Sequence, residues 1–298
     1  WDSKKKTDVT WTPTNANGYF TGDSMPLRTA FAQSINSVAV RLGQEMGIKN
    51  IAETAHKMGI QSELDETPSL ALGSSDVNLL ELTNAYCTIA NYGKAHDEAV
   101  LVTKILDRNG NIIYEAPGIE KQAVSIKSAF LVQQLLLAGL HERGGTSMSL
   151  WGYIGRYNDT EFGGKTGTSN NHSDAWFVGV SPNLVVGAWV GGEYRCIHFR
   201  TGALGQGSRT ALPICGYFLE SVFGDPAYQK YHGKFKLPND ADIDRSMYEC
   251  TYVGGSRRDT LQSDTIDISS DIILDESTGD GTGSSNVVTE EDVDFDDF

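Results

Sequence analysis

Only four cysteines occur in the 298 residues, Cys87, Cys196, Cys215 and Cys250, and none forms a Cys-x-x-Cys pair or sits beside a histidine pattern. That spacing argues against a zinc site, and the four are expected as buried free thiols. So small a count neither demands nor excludes disulfides, so it says nothing of the redox compartment. Long apolar runs are also missing. No stretch reaches the roughly 18 to 20 residues that span a bilayer, and no signal peptide opens the chain. The first residues, Trp1-Asp2-Ser3, read as the interior of a longer protein. Any membrane anchor is therefore expected only in a segment ahead of Trp1. No internal repeat is found.

Positive charge is scarce at one end. No Lys or Arg follows Arg258, while 13 Asp and Glu lie between Asp259 and Phe298. The formal charge of -15 therefore resides largely in the last forty residues, and residues 1 to 258 carry only -2. A nearly neutral body offers no electrostatic footprint for nucleic acid, and none is expected as a partner. The tail, with its run Gly279-Asp280-Gly281-Thr282-Gly283-Ser284-Ser285, holds too little apolar surface to offset its ordering entropy and is expected to be disordered. An acidic docking arm is the functional alternative.

What is present is a globular body, since 39% hydrophobic residues over this length fill a sizeable core. Leu27, Ala30, Phe31, Val38, Ala39, Leu42 and Met46 recur at helical spacing up to Gly47, and Ser34-Ile35-Asn36 places cap-forming residues within the run. Two helices meeting at that point are expected. Further helices fit Ile51 to Met58, Leu79 to Ile89, Ser128 to His141 and Leu212 to Phe223. Val100 to Leu106 and Ile112 to Glu115 flank Asn109-Gly110, a hairpin signal. Ala175 to Val180 and Leu184 to Val190, joined by Ser181-Pro182-Asn183, read as adjacent strands. The order points to an α+β fold with helices on a mainly antiparallel sheet. Three segments are expected: a body over 1–224, an extension over 225–258 and the tail over 259–298.

The most informative stretch is Gly163-Gly164-Lys165-Thr166-Gly167-Thr168-Ser169. A phosphate-binding loop would need glycine at position 159, which is Asp159, and a helix where strand-like residues follow. A plain Gly-rich bend with Lys165 on the surface remains open. The third reading is a Lys-Thr-Gly strand beside a serine nucleophile. A strand edge supplies an N–H for an oxyanion, Gly167 admits a substrate backbone, and Thr166, Thr168 and Lys165 suit a substrate carboxylate. That third motif of the Ser-x-x-Lys, Ser-x-Asn, Lys-Thr-Gly enzymes demands a Ser-x-Asn upstream, and Ser34-Ile35-Asn36 is there. Read without that context, the pair Ser34 and Asn36 is a set of helix caps. His172 reads as a solvated loop residue, and Trp176, Phe177 and Trp189 as core.

Trp11-Thr12-Pro13-Thr14-Asn15, Leu27-Arg28 and Ser34 to Leu42 resemble the class A penicillin-binding proteins around their second motif. Pro68-Ser69-Leu70-Ala71-Leu72-Gly73 and Ala90-Asn91-Tyr92-Gly93 are similar to the family's middle segment. Gly145-Thr146, the Lys165 motif, Asp174 to Gly179 and Trp189-Val190-Gly191 resemble its third-motif hairpin. The resemblance is collinear over about residues 1 to 223. It implies the penicillin-binding-protein and serine β-lactamase-like fold, here a partial domain. It also implies a peptidoglycan D,D-transpeptidase of the cell envelope, on the outer face of the bacterial cytoplasmic membrane, without metal or organic cofactor.

By that resemblance Ser34 relays protons near the leaving amine and Asn36 hydrogen-bonds the donor peptide. Lys165, Thr166 and Thr168 bind the donor's terminal carboxylate, Gly167 lets its backbone approach, and the N–H of Thr168 is half of the oxyanion hole. Peptidoglycan stem peptides would be its partners, and β-lactams too once a nucleophile is supplied. The family's Ser-x-x-Lys lies many tens of residues ahead of the Ser-x-Asn, yet only 33 residues precede Ser34. Ser3-Lys4-Lys5-Lys6 fits the spacing but lacks an apolar helix, so it reads as a surface basic run. The chain alone is expected not to be acylated, and apolar faces are expected to be left exposed. A non-catalytic peptidoglycan- or partner-binding module, or a related carboxypeptidase or β-lactamase-like hydrolase, are the alternatives.

Overall fold

Apolar residues at helical spacing form the helices. In the computed structural model, residues 11–96, 99–118, 120–239 and 242–249 are described. Helix α1 (Leu27–Ala32) is followed at once by α2 (Asn36–Met46), and Gly47, at φ 85°, turns the chain into α3 (Ile48–Lys57). The expected break at Ser34 to Asn36 is found. Helix α4 (Leu79–Ala90) starts at Asn78, whose side chain accepts from the N–H of Glu81. Then come the short strand β1 (Lys94–Ala95), the hairpin of β2 (Lys104–Leu106) and β3 (Ile112–Glu115), and β4 (Lys121–Gln122), which pairs with β1. Helix α5 (Ile126–His141) is capped by Ser125. The turn-like α6 (Trp151–Ile154) precedes strands β5 (Gly163–Thr168), β6 (Asp174–Val180) and β7 (Val185–Gly191). The short α7 (Gly202–Gly205) and the long α8 (Ala211–Gly224) follow.

Every described strand pairing is antiparallel, and the order of the main sheet is β5-β6-β7. Side chains alternate between its two faces. Phe177, Val186 and Ala188 point to one face, where they meet Leu212, Cys215, Leu219 and Phe223 of α8. Val180 points to the other and packs with Leu136 of α5 and Ile89 of α4. The helices come very close there. A Cβ on Gly163 would sit 2.6 Å from the backbone carbon of Leu136, so β5 lies directly on α5. The sheet is thus buried on both faces, while β5 is left at its edge.

The stretch after α8 returns along the body. The N–H of Glu161 donates to Gly233 (2.9 Å), Glu161 accepts from the N–H of Phe235, and Tyr92 exchanges hydrogen bonds with the backbone of Lys236. Tyr248 stacks edge-on against Phe130, and its carbonyl accepts from Arg28. The acidic tail and Cys250 lie outside the described residues.

Two sequence expectations need correction. Among the described residues only Cys215, on α8 against the sheet, is buried, whereas Cys87 is half-buried and Cys196 is exposed because it lies on the loop after β7. Of the three aromatics expected in the core, only Phe177 is there. Trp189 is 40% exposed and Trp176 half-buried, because both lie toward the open end of the sheet, beyond the reach of α4. The hairpin is smaller than its apolar runs suggest, and Ile105, Leu106, Ile112 and Ile113 are exposed. Its turn needs Gly110 at φ 85° with open space around it. Gly110→Ala is expected to cost about 1 kcal/mol in chemical denaturation, since only the backbone conformation is strained. A cost near zero would mean that the turn readily adopts another form.

Candidate active site

Ser34 owes its position to the way α1 ends. The N–H of Ile35 donates to Ala30 (3.0 Å) and that of Ser34 to Phe31 (3.1 Å), the paired hydrogen bonds that close a helix on a left-handed residue. Glycine is the usual occupant, but here Ser34 adopts φ 57°. A side chain in that conformation costs about 1 kcal/mol, and such strain collects at functional sites. Because α2 begins two residues later, the hydroxyl of Ser34 is held at the junction between two helices.

Buried Asn15 fixes the other side of this junction. Its side-chain carbonyl accepts from the N–H of Ser37 (3.0 Å) and its amide donates to Tyr19 (2.9 Å). It thereby supplies a cap that α2 otherwise lacks. Asn36, at the start of α2, faces the segment ahead of α1. Its amide donates to the carbonyl of Thr14 (2.7 Å), and among the described residues no hydrogen bond joins it to Lys165.

Lys165 stands on β5, and its Nζ donates to Ser34 Oγ at 2.8 Å and to the carbonyl of Thr166 at 2.8 Å. The two partners Ser34 and Lys165 are 131 residues apart in sequence. Burial of the ammonium pulls its pKa down from 10.5 to about 8. A surface lysine on a plain bend would show neither feature.

The edge of β5 away from β6 takes its character from strand alternation. The N–H of Ser169 donates inward to Asp174 (3.0 Å), so the main-chain groups of Thr168 and Thr166 face the outer edge. The carbonyl of Gly164, in the same phase, accepts from Ser147 Oγ at 3.2 Å. Beyond it the edge is left to Thr166 and Thr168, with Gly167 between them. The Thr168 hydroxyl accepts from the N–H of Gly207 (3.0 Å), which leaves its own proton free to donate. A peptide ending in a carboxylate could lie along this edge as an added strand.

His172 was read as solvated, and that reading is corrected. It adopts φ 58°, its carbonyl accepts from the N–H of Phe199, and its Nδ1 is buried with no hydrogen-bond partner among the described residues. The loop around Phe199 and Gly205 covers it, a contact that nothing in the local sequence announces. Asn15, Ser147 and Gly207 also escaped sequence reasoning. Asn15 and Ser147 are polar residues ahead of a motif, whereas Gly207, 39 residues after Thr168, carries no such signal.

The described residues contain no group of His, Cys, Asp and Glu able to hold a metal, and no helix among them is long and apolar enough to cross a membrane.

Residues 1–190 match the penicillin binding protein transpeptidase domain. Penicillin-binding protein 1A of Rickettsia conorii is 33% identical over 251 residues, covering 77% of this chain and 30% of that protein. Penicillin-binding protein 2D of Bacillus subtilis is 34% identical over 184 residues, covering 61% of this chain and 26% of the relative. This chain thus spans less than a third of either. The crystal structure of penicillin-binding protein 1A from Haemophilus influenzae superposes with a TM-score of 0.67 at 26% identity, over 83% of this chain and 41% of that one. The PonA1 protein of Mycobacterium tuberculosis in complex with penicillin V shares the fold, with a TM-score of 0.60 at 22% identity over 77% of this chain and 63% of that chain. The paired Ser34 and Lys165, the antiparallel hairpin and these relatives agree: the chain belongs to the penicillin-binding protein transpeptidase family.

Proposed function

We propose that this chain forms the donor-site and scaffold half of a D,D-transpeptidase that cross-links peptidoglycan stem peptides in the bacterial cell envelope, outside the cytoplasmic membrane. The observation that carries the reading is the 2.8 Å hydrogen bond from Lys165 to Ser34, which joins two distant motifs at one point. A serine supplied from a segment ahead of Trp1 would give its proton to the lysine of its Ser-x-x-Lys, attack the carbonyl of a D-alanyl-D-alanine end and form an ester, that proton later replacing the one Ser34 donates. The bond to the terminal D-alanine breaks, and Ser34, polarised by Lys165, hands a proton to the departing amine. The N–H of Thr168, at the outer edge of β5, would stabilise the oxyanion, with Thr166 and Thr168 donating to the terminal carboxylate. An acceptor amine then attacks the ester and releases the serine. In this reading Asn36 turns from Thr14 toward the donor peptide when substrate arrives.

Exposed Ile214, Tyr217 and Phe218 on the outer face of α8 support a larger domain, since upstream residues of the parent protein would cover them. A fluorescent penicillin is expected to leave this chain unlabelled and to label a parent protein that carries an intact Ser-x-x-Lys ahead of Trp1. Absence of label on that parent would overturn the transpeptidase reading. Labelling of the chain itself, lost on Ser3→Ala, would place the nucleophile at Ser3, which lies outside the described residues.

A further inference from the structure

The two walls of the site are joined by hydrogen bonds from a single turn. Helix α5 ends at His141, and the next residues pass between α1 and β5. The N–H of Thr146 donates to the carbonyl of Ala32 (3.0 Å), two residues before Ser34. The side chain of Gln33 reaches back and donates to the carbonyl of Arg143 (3.0 Å). One residue after Thr146, the fully buried hydroxyl of Ser147 donates to the carbonyl of Gly164 (3.2 Å), immediately before Lys165. The N–H of Ser147 is itself tied to Gly139 of α5 (3.2 Å). Below the turn, Arg28 of α1 pairs with Glu142 at 2.8 Å.

We infer that Ser147 is a positioning residue for acyl transfer: the Arg143–Ser147 turn sets the gap between Ser34 and Lys165 by holding the backbone next to each. The inference rests on the transpeptidase reading. Its physical basis is that hydrogen bonds to backbone on both sides of the gap constrain both partners at once. A cut on either side lets one wall move independently of the other. Glycines make the crossing feasible. A Cβ on Gly139 would sit 2.7 Å from the carbonyl of Gly164, and one on Gly145 would strike the carbonyl of Gly139, so helix, turn and strand are in direct backbone contact. Ser147 touches no reacting atom. Its effect passes through Gly164 to Lys165, so it should alter the chemical step and spare initial binding.

The test uses the parent protein with its nucleophile and measures saturable acylation by a penicillin, which separates the constant for initial binding from the rate of the covalent step. Ser147→Ala is expected to slow the covalent step by about tenfold, in keeping with the sensitivity of reacting groups to small displacements, and to leave the binding constant within about twofold. Gln33→Ala, on the partly exposed α1 side, should give a smaller loss of the same kind and guards against a misfolded Ser147 variant. An unchanged covalent rate in both variants overturns the inference while wild-type labelling keeps the transpeptidase reading. Equal losses in binding and rate overturn it as well, since they mark general damage. A wild-type parent that takes up no penicillin sinks the reading and this inference together.

Discussion

Lys165→Met is expected to give a more stable chain and, in the parent enzyme, to remove most of the acylation activity. Burial lowers the pKa of Lys165 from 10.5 to about 8, so the folded state resists the ammonium that pH 7 imposes on it. Carried through at full strength the shift corresponds to about 3 kcal/mol, an upper bound for a side chain that keeps some contact with water. Two hydrogen bonds, to Ser34 and to the Thr166 carbonyl, return part of it. The net gain from methionine should be about 1 kcal/mol, or about 3 °C in Tm.

The sign of the pH dependence distinguishes this cause from simple hydrophobic gain. The folded pKa lies below the unfolded one, so between pH 8 and 10.5 the unfolded chain holds more protons and wild-type stability rises with pH. The methionine variant lacks that rise. Its advantage should be full below pH 8 and fade by about pH 10. In the parent, penicillin acylation should fall by about 100-fold or more, the usual size of a lost proton-transfer partner. A stability gap of constant size from pH 7 to 10 would show that burial does not charge Lys165 against the fold. Near-normal acylation would remove it from the chemistry.

Spacing revealed the elements that bury a continuous face and was silent on what covers them. Helices α4, α5 and α8, and strands β6 and β7, could be read within a few residues because their apolar periods persist and their ends carry Asn78, Ser125 or Ser181-Pro182-Asn183. Helix α3 starts at Ile48 rather than at the expected Ile51, because Gly47 turns the chain directly into it. Trp189 is more open than expected since period two assigns a face but not where its covering helix stops, and Cys196 sits on a loop, where the usual burial of free thiols does not hold. The break at Ser34 was legible from two polar residues. Its left-handed backbone was not, because glycine normally occupies that place and serine gives no sign of it. Likewise, Asn36 could be found by motif, while its hydrogen bond to Thr14 depends on a segment 22 residues earlier folding over it. The meeting of Ser34 with Lys165 followed from motif logic alone. No local preference joins residues so far apart.

The largest loss of stability outside the core is expected from Glu81→Gln. Glu81 stands in the first turn of α4 and is only 8% exposed. One carboxylate oxygen accepts from the N–H of Asn78 (2.9 Å), while Asn78 Oδ1 accepts from the N–H of Glu81 (2.9 Å), closing the helix start. The other accepts from the N–H groups of Gln61 (2.7 Å) and Ser62 (3.0 Å), while the Ser62 hydroxyl donates to the first oxygen, the one that Asn78 also reaches. A single side chain therefore fastens the turn after α3 to α4, the helix on which β7 rests through Gly187 and Thr83. Burial alone would raise this pKa. Hydrogen bonds from the Ser62 hydroxyl and the N–H groups of Asn78, Gln61 and Ser62 outweigh it and hold the carboxyl at about 2. An amide has one accepting oxygen where the carboxylate has two, and it presents an NH2 to donors. Glu81→Gln should cost about 3 kcal/mol at pH 7, several times the loss from Asn78→Ala, which removes a cap worth about 1 kcal/mol. The folded pKa is depressed, so the wild-type advantage is complete above pH 4.5 and declines as pH falls toward 2. Denaturant melts at pH 7 and pH 3 should therefore show a wide gap that narrows in acid. A gap under about 1 kcal/mol at pH 7, or one that stays equally wide at pH 3, would mean that the charge on Glu81 does not hold α3 to α4.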